Sequence, residues 1–187
     1  MPCRLAASFV EEDPIVMGFH CGLERPAATA SDPAVSGRML EYPEVLESQD
    51  VAIMRACELL AETGVRFHVG GFGADDWNLD VRYDLSVFLE QLAGALGELN
   101  AGKESEIALY SQGVERVLVF RPQGAGVRIE CISGTSWKPD PAEEEVTSRE
   151  LISMLTQLAV DFSGAVIEVD GDAAQVEPIS SWLRGII

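Results

Sequence analysis

The clearest pattern of hydrophobic and polar positions lies at residues 77–102. In residues 77–85 apolar side chains take every second place, Trp77, Leu79, Val81, Tyr83 and Leu85, with Asn78, Asp80, Arg82 and Asp84 between them. That period predicts a strand with one buried face. From Ser86 the spacing changes: Phe88, Leu89, Leu92, Leu96 and Leu99 recur at three and four residues, and Asn100-Ala101-Gly102 supplies a stop. A helix of roughly four turns is expected there, its apolar stripe covering the sheet. Gly94 and Gly97 each cost about 1 kcal/mol of helix propensity against alanine. Either one of them marks a close approach of helix to sheet, or both are surface glycines.

The same reading extends along the chain. Residues 48–63 carry a broad apolar stripe that includes Cys57, and predict a first helix ending at Gly64. Residues 65–69 alternate as a short strand, with Arg66 and His68 on its polar side, and Gly70-Gly71-Phe72-Gly73 reads as a turn, since it lacks the ending of a phosphate loop. Residues 106–112, 115–121 and 127–133, separated by turns containing Gly113, Pro122, Gly124 and Gly126, predict an antiparallel meander. Ile107, Leu109, Val117, Val119, Val127, Ile129 and Cys131 are expected to face the helices. Glu106, Tyr110, Leu118, Phe120, Arg128 and Glu130 are expected on the other face, beside Asp80 and Arg82. Residues 134–146 read as a loop holding Trp137 and the run Glu143-Glu144-Glu145. Thr147 and Glu150 form a capping box that opens a second long helix ending at Gly164. A short strand at 165–169 and a final short helix or tail at 179–187 complete the pattern.

The expected fold is therefore α+β, a two-layer sandwich with a mostly antiparallel sheet of about five strands covered on one face by helices. Residues 48–187 form its single domain. Residues 1–47, broken by five prolines, form an irregular N-terminal extension in which residues 15–20 could make a short strand.

Charge and chemistry narrow the function. The 187 residues carry 13 Lys+Arg against 31 Asp+Glu, a net charge of −18, with acids in excess in every quarter of the chain. Such a field disfavours nucleic acid and anionic membrane and favours a basic protein partner. Four separated cysteines without a CxxC pair, and no signal sequence, predict reduced thiols in the cytoplasm. The two histidines show no metal-ligand spacing, and neither GxSxG nor HExxH occurs. His20 and Cys21 are neighbours, and on a strand they would point to opposite faces. No cofactor, metal or catalytic residue is expected, and the chain is read as a non-enzyme.

Residues 77–160 contain W-x-L-x-V-x-Y-D-L at 77–85, the L-x-x-L-x-x-x-L helix, Tyr110-Ser111-Gln112-Gly113-Val114-Glu115-Arg116 and Val127-Arg128-Ile129-Glu130-Cys131. This stretch resembles the small acidic bacterial immunity proteins that bind and block one cognate polymorphic toxin. The resemblance implies an acidic cytoplasmic inhibitor acting through a charged surface. Its contact surface is expected at Asp75, Asp76, Asp80, Asp84, Tyr110 and Glu130, with Trp137, Glu143, Glu144 and Glu145 as a second choice. A small regulatory, adaptor or ligand-binding module, and a hydrolase without a recognisable motif, stay open beside it.

Overall fold

A computed structural model of the chain describes residues 18–26 and 48–187. The expected strand at residues 15–20 lies mostly outside them. The described part of the N-terminal extension nevertheless forms a strand, β1 (His20–Glu24), which pairs antiparallel with β2 (Arg66–Gly70) in a two-stranded ribbon. The expectation of an irregular arm is corrected there. The other sheet is a four-stranded antiparallel meander, β3 (Ser105–Leu109), β4 (Arg116–Gln123), β5 (Gly126–Ser133) and β6 (Glu143–Thr147), in that order. With helices α1 (Gln49–Leu60), α2 (Ser86–Asn100), α3 (Ser148–Val169) and the short α4 (Ile179–Trp182), the fold is α+β. Among the described residues six strands in two antiparallel sheets, of two and four strands, stand where one sheet of about five was expected. One continuous core joins the inner faces of both sheets to the helices.

Residues 77–85 are not a strand. Trp77 donates its N–H to the Val69 carbonyl (2.9 Å), but Asn78 then takes a left-handed φ of 54°, which breaks the ladder. A single π-type turn follows at Val81–Leu85. Its two carboxylates cap it reciprocally: Asp80 accepts from the Tyr83 N–H (2.9 Å) and Asp84 accepts from the Asp80 N–H (2.8 Å). Trp77, Leu79, Val81 and Leu85 reach the core by this irregular path, whereas Tyr83, in phase with them on a strand, is 65% exposed.

The helix at 86–100 forms as its spacing predicts, with Phe88, Leu89 and Leu92 fully buried. Gly94 and Gly97 lie on its exposed side, where an added Cβ would meet nothing within 4 Å, so neither marks a close approach. α3 begins at the expected Thr147–Glu150 capping box and runs through Gly164 to Val169, replacing the expected strand at 165–169. Gly164 has a different use. Arg25 lies across it, donating to the Asp161 carbonyl (3.0 Å) and pairing with Glu168 (2.6 Å), and a Cβ at Gly164 would stand 2.9 Å from the guanidinium. Among the described residues α3 is the one helix long and apolar enough to cross a membrane by length and composition; here Leu151, Leu155, Leu158 and Phe162 lie in the core.

The register of β4 also differs from expectation by one residue. Arg116, Leu118 and Phe120 point inward, in register with Leu109, Ile107, Cys131 and Ile129, while Val117 and Val119 share the outer face, Val119 being covered there by its neighbours to 6% exposure. A one-residue change of phase exchanges every side chain between faces.

Candidate interaction surface

The meander's outer face is built in rows by its register. Glu106, Val119, Glu130 and Glu143 stand side by side across the four strands; Ala108, Val117 and Ile132 form the row on one side, and Arg121, Arg128 and Glu145 the row on the other. An antiparallel sheet with one face on the core commonly leaves the other to solvent. Ile132 is 48% exposed, and Tyr110, just past the end of β3, is 67% exposed. The face thus grades from an apolar end with an exposed phenol to a charged end.

At the charged end each arginine is held by acids. Arg121 pairs with Glu130 and with Glu104 (2.9 Å), and the hydrogen bond to Glu130 is the main cause that raises its pKa above the ordinary value. Arg128 lies 3.6 Å from Glu143 and 4.0 Å from Glu145. Exposed pairs of this kind add little to stability, because solvent screens them. Two arginines shared among the four acids Glu104, Glu130, Glu143 and Glu145, with Glu106 beside them, leave the face net negative.

The acidic run at 143–145 is the edge strand β6 and not a loop. Alternation along it sends Glu143 and Glu145 outward and Glu144 inward. The Glu144 carboxylate accepts from the backbone N–H groups of Phe19 and Phe72, so it fastens the ribbon and its 71–74 turn to the meander. Phe19 adds ring contacts with Phe72 and Phe120, at 6.1 and 6.2 Å between centroids.

Trp137 is half-buried and belongs to a cluster. The Arg116 guanidinium lies against both Trp137 and Trp77, 4.2 and 4.4 Å from their ring centroids, and the two rings are themselves 6.0 Å apart and tilted at 59°. Cation–π attraction offsets part of the desolvation of this buried cation. Its Nε and Nη1 have no hydrogen-bond partner among the described residues, and neither does Asp84 Oδ1. Burial lowers the pKa of Arg116, opposed by the Cys131 thiol and Asp84. No sequence signal marks this cluster, because Val117-Leu118-Val119-Phe120 is apolar at every position and leaves the inward side of β4 unmarked.

The expected contact residues therefore separate into three places. Glu130, Glu143 and Glu145 share the outer face, with Tyr110 near its apolar end. Asp75, Asp76 and Asp80 lie on the stretch leading into the π-type turn. There Asp76 pairs with Arg66 (3.3 Å) and accepts from the Asn78 N–H, and with Asp80, Asn78 and Leu79 it lines a groove of about 330 Å³. Asp84, 3% exposed, and Glu144, committed to backbone amides, are placed for structure, and Trp137 is largely occupied by Arg116. A second groove, of about 420 Å³, lies between β5, β6 and the start of α3 and includes Arg128, Glu145 and Glu150.

Cys21, Cys57 and Cys131 carry free thiols. Burial pushes Cys21 up to about 12 and Cys131 up to about 11, and raises Cys57 further with help from Glu90 and Asp80. Cys3 lies outside the described residues. His20 and Cys21 do point to opposite faces of β1, as their adjacency implies. Among the described residues no group of three or more His, Cys, Asp or Glu could hold a metal ion. Comparisons with known protein families, curated proteins and solved structures give no match.

Proposed function

We propose that the chain is an acidic inhibitor of the immunity type, a bacterial cytoplasmic protein that binds a basic toxin and blocks it without catalysis. The observation that carries this reading is the open outer face of the meander. There an apolar end at Val117, Ile132 and Tyr110 adjoins the acids Glu106, Glu130 and Glu143 on a chain of net charge −18. An exposed aromatic and aliphatic patch supplies anchor residues, and the surrounding negative potential speeds encounter with a cationic surface. The reading places Tyr110, Ile132, Glu106, Glu130, Glu143 and Glu145 at the contact, with Asp75, Asp76 and Asp80 as flanking acids that steer the partner.

The experiment is capture followed by rescue. The tagged chain should retain one stoichiometric polypeptide from lysate of its source cells, more basic than itself and released by salt. That polypeptide should arrest growth when expressed alone and not when expressed with this chain. Growth arrest that persists on co-expression, or the absence of any salt-sensitive partner, would remove the proposal. The polar groove at Arg66, Asp76 and Asp80 supports a second reading, a module for a small polar ligand. Saturable thermal stabilisation by a small molecule, abolished by Asp76→Ala, would favour it.

A further inference from the structure

The chain has two histidines, and the fold brings them together. In the ribbon His20 is registered opposite Gly70, and Gly22 opposite His68. Cys21, Leu23, Phe67 and Val69 pack against or within the core, so His20 and His68 share the outer face as diagonal neighbours. Each ring lies over the glycine of the opposite strand. A Cβ at Gly70 would overlap the His20 ring, and one at Gly22 would stand 3.2 Å from His68 Nε2. The glycines let both imidazoles lie down across the ribbon, with ring centroids 6.1 Å apart and planes at 49°.

The tautomer of one ring follows from its partner. His20 Nδ1 is 2.9 Å from the Gly18 carbonyl oxygen, which only accepts, so Nδ1 carries the proton and donates. Nε2 keeps its lone pair. A backbone carbonyl that fixes one ring nitrogen and frees the other is the usual support of a metal-binding histidine.

We propose that His20 and His68 form a two-imidazole site for a divalent transition metal ion of the Zn²⁺, Ni²⁺ or Cu²⁺ type on the outer face of the ribbon. Two imidazole nitrogens about 2.0–2.1 Å from one ion put ring centres roughly 5–6 Å apart, within a side-chain adjustment of the observed separation. Nitrogen donors select these ions over Mg²⁺ and Ca²⁺. The Asp75 main-chain carbonyl faces Gly70 beside the His20 ring, an oxygen at the edge of the site. The neighbouring Cys21 packs against the core on the opposite face of β1, away from the two rings. No third His, Cys, Asp or Glu side chain completes a cluster among the described residues. The site is therefore open, with positions left to water or to a ligand from a bound molecule, and it stands independently of the inhibitor reading.

The test is calorimetric titration of the full chain, in a Cys3→Ser background, with Zn²⁺ and Ni²⁺ in separate runs. One saturable equivalent is expected, unaffected by excess Mg²⁺ and weakened on acidification, because only neutral imidazole coordinates. His20→Ala and His68→Ala should each weaken binding about ten-fold or more, since either change turns a chelate into a single ligand. His68→Gln, with unfolding midpoints measured for every variant, separates loss of the site from loss of the fold. No saturable binding, binding unchanged by either substitution, or binding that depends on one histidine alone would overturn the proposal.

Discussion

The guanidinium carbon of Arg116 lies 4.2 Å from the ring centroid of Trp137. With Trp77 beside Trp137 and 4.4 Å from the same carbon, a buried cation takes most of its compensation from the two aromatic rings, because Nε and Nη1 lack hydrogen-bond partners among the described residues. A planar guanidinium can lie against an aromatic ring in a way that a lysine ammonium cannot. Arg116→Lys should therefore destabilise the protein by about 1–2 kcal/mol. Arg116→Met keeps the packing and removes the desolvated charge, so it should stay within about 1 kcal/mol of the parent. Urea unfolding of both variants checks the order; a more stable Lys variant would contradict the cluster's role.

Glycine substitutions should divide by location. Gly94→Ala and Gly97→Ala fall in open space on α2 and should each stabilise by about 0.5–1 kcal/mol. Gly73, at φ +81°, lies against the backbone of Asp140, and an added Cβ would overlap its carbonyl oxygen. Gly73→Ala should cost about 2 kcal/mol or more, by strain and displacement together. Thermal unfolding of the three variants reads both signs at once.

The start of α3 should respond to acid. Hydrogen bonds from the Thr147 hydroxyl and backbone hold the Glu150 carboxyl below its ordinary value of 4.5. A depressed carboxylate stabilises the fold above the unfolded pKa and loses that contribution as pH falls through the folded one. Thr147→Ala should cost about 1 kcal/mol at neutral pH through the lost cap. The part of that difference owed to ionised Glu150 should shrink as pH drops below 4.5, measured by unfolding the pair across pH 3–7.

Alkali should act through the thiols. Cys21 and Cys131 rise from an ordinary value of 9.0 to about 12 and about 11. A thiol whose folded pKa is raised leaves stability intact below 9.0, and stability is lost as pH climbs from there towards the folded value, because the unfolded chain ionises first. Cys131→Ser should flatten the alkaline slope of unfolding free energy. Folded protein at pH 8 should react with a thiol reagent at the buried Cys57 and Cys131 only as fast as it opens.

Partner binding should depend on the outer face more than on the acids of the turn. Tyr110→Ala and Ile132→Ala should each weaken a captured complex by about 1–2 kcal/mol, and Asp75→Ala by well under 1. Trp137→Ala should instead lower stability, because its ring covers Arg116. Surface plasmon resonance on the reconstituted pair distinguishes these outcomes; equal losses at Tyr110, Ile132 and Asp75 would dissolve the proposed face.

Local signals account for what was legible in the sequence. The α2 stripe and the Thr147–Glu150 box each specify structure within a few residues and form as read, and the glycine turns mark the antiparallel run of β3, β4 and β5, to which β6 adds a fourth strand. The phase of β4 was not legible, since Val117-Leu118-Val119-Phe120 is apolar on both faces and alternation has nothing to choose by. Glu144 hides in a run of identical neighbours and acquires its role from Phe19 and Phe72, which are 125 and 72 residues away. Residues 77–85 show the opposite failure: a strand's alternation is met by an extended entry and a π-type turn, because Asp80 and Asp84 offer the backbone side-chain partners in place of a ladder. The His20–His68 pair depends on register between distant strands, and spacing along the chain says nothing of it.

The ribbon's pairing also sets how this protein would fail. Among the described residues β2 has β1 as its one ladder partner, and Phe67 and Val69 lie at its inner side. A chain stripped of His20–Glu24 would present the β2 amides and carbonyls as a bare template beside uncovered aromatic and aliphatic surface. Such an edge recruits another strand from wherever one can be found. Damage there would emerge as self-association that grows with concentration, before any loss of helix is seen.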